Sequence, residues 1–139
     1  MRHLTERQAE AALVRGAGVE QMLTVDLDGG TVEWLFAARG RGDFELTRFA
    51  VVDEGGDGLA DVNEFRPVDA DEYPGEGVVI ARFPGARELL EGAAAEGARA
   101  DRWVNHGVIQ DEYRELGSTR WGGPGGGALT PRGAVAAAV

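Results

Sequence analysis

Three strand-length runs separated by glycine-bearing turns, between residues 22 and 52, constrain this chain more than any other feature. Residues 22–27 lead into Asp28-Gly29-Gly30, whose glycines supply the positive φ that a tight hairpin turn needs. Residues 31–38 then alternate, with Val32, Trp34 and Phe36 on one face and Glu33 and Leu35 on the other. That is the period of a strand. Residues 39–43 form a second glycine-bearing turn, and residues 44–52 are the third run. The turn contains Arg41-Gly42-Asp43, which reads as a hairpin turn before it reads as an integrin-binding tripeptide. A chain that reverses direction twice on short turns builds an antiparallel meander.

Helical signals flank this meander. Thr5 followed by Gln8 is a capping-box pair, and Leu4, Ala9, Ala12 and Leu13 recur on one face before Gly16 and Gly18. Alanine offers little area, so this helix is expected at the edge of the core. Pro67 and Pro74 keep residues 65–76 from forming a long helix. Residues 78–83 form an apolar run read as a fourth strand, and residues 86–96 form a second helix with Leu89, Leu90 and Ala93 inward. Residues 101–106 read as a helical turn or ordered loop, and residues 108–116 as a last short helix offering Ile109, Tyr113 and Leu116.

The expected fold class is α+β: an antiparallel sheet of about four strands with two or three helices packed on one face. The other face is expected to be partly solvated and acidic. One domain is expected over residues 1–116, a size that buries roughly 65% of its unfolded surface. Residues 117–139 contain seven glycines and two prolines and are expected to be a disordered tail.

Charge and missing residue types narrow the function. The 139-residue chain carries a net charge of −10; its last 23 residues contain two arginines and no acid, so the first 116 carry −12. There is no lysine and no cysteine, and Ser118 is the only serine. These absences exclude disulfides, thiolate chemistry, lysine Schiff bases and a phosphate-binding P-loop. Binding to a nucleic-acid backbone needs clustered cations and is disfavoured. The N-terminus lacks a secretory h-region and no run is long enough to span a bilayer, so a cytoplasmic protein is expected.

Two clusters could carry chemistry. In Asp53-Glu54-Gly55-Gly56-Asp57-Gly58-Leu59-Ala60-Asp61-Val62-Asn63-Glu64, the residues Asp53, Asp57, Gly58, Asp61 and Glu64 match positions of a calcium-binding EF-hand loop. Gly55 stands where a third oxygen ligand belongs, a strand-like run precedes the loop and Pro67 follows it. Calcium bound by Asp53, Asp57, Asp61 and Glu64 is therefore the alternative to a recognition surface or a solvated connection. The second cluster is His106 with Asp111 or Glu112, a candidate acid–base pair for a small enzyme. His3 lies too far away in sequence for the two histidines to suggest zinc.

The leading functional expectation is a non-enzymatic acidic domain that docks on a basic protein partner. An inhibitor or immunity-type protein acting on a basic, nucleic-acid-processing toxin is one concrete form. The expected contact residues are Asp53, Asp57, Asp61, Glu64, Asp69, Asp71 and Glu72. Trp103 is expected as a core plug rather than an interface anchor.

Overall fold

The computed structural model describes residues 2–26, 30–53, 62–69, 71 and 75–122, with the side chains of Asp26, Glu64 and residues 117–122 outside that set. Helix α1 spans Glu6–Val14 and starts with the expected capping box. The Gln8 N–H donates to the Thr5 hydroxyl at 3.1 Å, and the Thr5 N–H donates to the Gln8 side chain at 2.9 Å. Past its end, Gly16 takes φ +93°, a left-handed conformation that closes the helix without a Cβ penalty.

Strands β1 (Val19–Asp26), β2 (Thr31–Arg39) and β3 (Phe44–Val52) form the meander. Val25 pairs with Val32 and Trp34 with Phe49, all antiparallel. The β2–β3 turn closes with the Gly40 N–H donating to the Asp43 carbonyl at 2.7 Å. Strand β4 (Val78–Phe83) pairs with β3, and a two-residue strand β5 (Val104–Asn105) pairs with β1. Among the described residues the sheet therefore has five strands, in the order β4-β3-β2-β1-β5. The fifth falls within residues 101–106, read above as a turn or loop. Two residues are too few to show a period, and this strand exists only through its pairing with β1.

Alternation along the strands builds two cores. Val19, Leu35, Ala37 and Leu46 face α1 and α2 (Ala86–Gly92), the latter continued by a 3₁₀ turn over Ala93–Glu96. Ala9, Ala12 and Leu13 are fully buried there, so the inward face of α1 is part of this core. Small residues let the helix approach closely, and close packing compensates for their small area. Trp103 is buried in the same cluster, as expected of a core plug.

Met22, Val25, Val32, Trp34, Phe49 and Val51 project from the opposite face. They meet Ile109 and Tyr113 of α3 (Ile109–Gly122), together with Val62 and Phe65. Helices thus cover both faces of the sheet, two on one side and one on the other. A register shift between Met22 and Thr24 is what lets Met22 and Val25 share a face although three residues apart. Helix α3 runs six residues past the expected domain end at 116. The rest of the expected tail, residues 123–139, lies outside the described residues. No helix among the described residues is long and apolar enough to cross a membrane.

Candidate functional site

Asp53 directly follows β3, and the next described residues form a 3₁₀ turn over Val62–Glu64. The acidic stretch is thus entered from a strand and left through a 3₁₀ turn, unlike the paired helices of an EF-hand. The Tyr113 hydroxyl donates to Asp53 Oδ1 at 2.7 Å, tying the start of the loop to α3. Burial, the hydrogen bond and the Asp53 charge all push the Tyr113 phenol well above its ordinary range, burial being the largest cause. Replacing Tyr113 by phenylalanine is expected to cost about 1.5 kcal/mol, the scale of a hydrogen bond to a charged group. A urea midpoint unchanged from wild type would show that the contact contributes nothing. Asp57, Asp61 and Glu72 lie outside the described residues, as does the Glu64 side chain. Among the described residues no group of three His, Asp or Glu side chains is arranged to hold a metal ion.

His106 is paired, but not with the acids nearest in sequence. Its Nδ1 lies 3.2 Å from Oε2 of Glu20, on β1, and its ring meets Phe36 with centroids 5.0 Å apart. Glu20 is only 3% exposed. Its Oε1 accepts from the Gly107 N–H at 3.1 Å, and the carboxylate also accepts from the Ile109 N–H at the start of α3. Burial raises the Glu20 pKa, against the lowering effect of both N–H donors and of His106. The carboxylate thus joins β1 to the β5–α3 turn. It also holds the imidazole by Nδ1, an arrangement that orients a general base in enzymes.

Among the described residues nothing completes a catalytic set around His106. The His106 side chain is 64% exposed, so water competes at Nε2, which has no partner among the described residues. Ser118 lies nine residues along α3 from Ile109, roughly 13 Å down the helix axis. Asp111 is exposed, and Glu112, only 2% exposed, faces the N-terminal segment instead. There it meets Arg2 Nη2 at 2.7 Å and His3 Nε2 at 3.2 Å. Both histidines of the chain are thus spent on buried glutamates.

The expected contact residues divide. Asp53 is engaged by Tyr113, whereas Asp69 and Asp71 are exposed, with the Asp71 N–H donating to Asp69 Oδ1 at 2.9 Å. Sequence reasoning missed Glu20. Two adjacent polar residues, Glu20 and Gln21, interrupt the apolar pattern, so the first run was placed from Met22. The available signal was that Val19 continues the strand period beyond this pair. Both polar residues are buried, Gln21 by exchanging hydrogen bonds with the Arg99 main chain at 2.9 and 2.6 Å.

Residues 78–83 form the expected fourth strand, but the bonding of residues 66–68 to β3 was not legible. Along the outer side of β3, the Val52 N–H donates to the Arg66 carbonyl, Pro67 bridges Val51, and the Val68 N–H donates to the Ala50 carbonyl. Val78 then pairs with Arg48 and Val79 with Thr47. The chain leaves β3 at Val68 and rejoins it two positions on, roughly 7 Å along the strand. Gly77, at φ +66°, makes the return; a Cβ there would lie 2.8 Å from Thr47 and 2.9 Å from the Phe49 ring. Compared with known proteins, the chain matches no family model, no curated protein and no solved structure.

Proposed function

We propose that this protein is an acidic binding domain that docks on a basic protein partner. The carrying observation is the imbalance of paired and unpaired charge on its surface. Arg48 is held by Glu33, Arg82 by Glu45 and Asp43, Arg87 by Glu10 and Arg99 by Asp101. Asp69, Asp71, Glu76, Glu88, Glu91, Glu96 and Asp111 are exposed and make no ion pair among the described residues. Arg7, Arg15, Arg39 and Arg41 are likewise exposed without an ion pair among the described residues, but the unpaired acids outnumber them. The resulting negative outer field steers a cationic surface toward the domain and repels nucleic acid. An inhibitor or immunity-type role is the form that best fits a chain so short of nucleophiles.

The reading is tested by affinity capture at low ionic strength and again near 0.15 M salt, where fields are screened within about 8 Å. The expected partner carries an excess of Lys and Arg, and its association rate falls about tenfold or more between the two conditions. A partner that is acidic, or whose association ignores salt, would refute the proposal.

A further inference from the structure

Among the described residues four large apolar side chains are markedly exposed, and three of them lie on one margin of the sheet: Val68 at 52%, Val78 at 45% and Val79 at 41%. Hydrogen bonding to β3 brings them together, since Val68 bonds at Ala50 and Val78 and Val79 pair at Arg48 and Thr47. Between Val68 and Val78 the chain makes the excursion that carries Asp69, Asp71 and Glu76, all exposed. The basic side chains nearby are already engaged: Arg82 by Glu45 and Asp43, and Arg66 by an interaction of its own. The opposite edge differs. There β5 has only two residues, and the Leu4 N–H donates to the Trp103 carbonyl just before it, bringing the N-terminal segment alongside. One edge is short and overlaid, and the other is longer and carries bare valines.

Resting on the acidic-docking reading, we infer that the Val68–Val78–Val79 margin is the contact point. Its occupant is an extended segment of the basic partner that places an aliphatic residue between arginines or lysines. Val78 and Val79 are consecutive and flank the β4 edge on opposite faces, Val78 on the side of Arg48 and Val79 on that of Thr47. An extended segment laid along the edge thus meets an aliphatic side chain on each face, and Asp69, Asp71 and Glu76 supply the charge that segment needs. A register shift opposite Leu46 and Thr47 breaks the β3–β4 ladder near Ile80, so the Val78–Val79 end is offered rather than a full-length strand edge.

Two synthetic peptides of equal charge test this against the full-length chain: Arg-Arg-Val-Ile-Val-Arg-Arg and Arg-Arg-Ser-Gly-Ser-Arg-Arg. The apolar peptide is expected to bind about tenfold more tightly, the worth of burying about one aliphatic side chain. The preference is expected to vanish in Val78→Ser and Val79→Ser, whose melting temperatures stay close to wild type because both positions are exposed. Equal, salt-sensitive binding of the two peptides overturns the apolar contact while leaving acidic docking intact. No binding of either peptide at low salt overturns both. Sedimentation of the chain alone at twice its 14.7 kDa mass, reverting to one mass in Val79→Ser, assigns the margin to a second copy and also overturns the inference.

Discussion

Trp34→Ala is expected to destabilise the protein by about 3–5 kcal/mol, the cost of emptying a large aromatic site in a packed core. Trp34 lies at the middle of β2 and is completely buried. Its ring stacks on Phe49 at 4.8 Å with planes 5° apart, and Met22 stands opposite on β1. Val62, Phe65, Ile109 and Tyr113 complete the cluster, so one truncation loosens three strands and the layer above them. The buried indole Nε1–H has no hydrogen-bond partner among the described residues, and an unmet donor costs stability. Trp34→Phe, which removes that donor and keeps most of the ring area, is therefore expected to cost under about 2 kcal/mol. Urea unfolding checks both. A loss below about 1 kcal/mol for Trp34→Ala would mean that α3 and the segment bearing Phe65 do not seal this face.

Glu20→Ala is expected to cost about 3 kcal/mol, because it leaves the Gly107 and Ile109 N–H groups and His106 Nδ1 without their acceptor. Glu20→Gln keeps the shape and an acceptor, and its effect is expected to depend on pH. The folded-state pKa of Glu20 is raised above its ordinary 4.5, chiefly by burial. A group raised on folding contributes stability fully below its unfolded pKa and loses that contribution as pH rises through the folded value. Glu20 therefore weakens the native state at neutral pH relative to pH 4.5. Glutamine has no such titration, so the variant should gain on wild type as pH rises from 4.5 to 7. Urea midpoints at the two pH values measure this; a variant that instead loses ground with rising pH would show that the His106 and N–H contacts outweigh burial.

Local sequence carried the first half of the fold well. The capping box at Thr5 and Gln8, the alternation of Val32, Trp34 and Phe36, and the turn at residues 40–43 each depend on neighbours within a few positions. Such signals survive in the sequence because the physics that selects them is equally local. The candidate site was far less legible. His106 with Asp111 or Glu112 reads as an acid–base pair, yet His106 pairs with Glu20, and Glu112 with Arg2 and His3, all distant in sequence. Glu20 and Gln21 carry no signal of burial in the sequence, because nothing beside them announces the main-chain groups they satisfy.

The sequence by itself determined the α+β class, the meander, the capped first helix, the absence of thiol and amine chemistry, and the negative charge. Composition, periodicity and turn chemistry act over a few bonds or over the whole chain, so they need no contact map. Only the tertiary structure decided which face α3 covers, which carboxylates are buried and which strand is left at the edge. Those outcomes follow from register: a shift of one residue exchanges the two faces of a strand, and only pairing sets the shift. The same pairing gathers Val68, Val78 and Val79 on one margin, although nine residues separate Val68 from Val78.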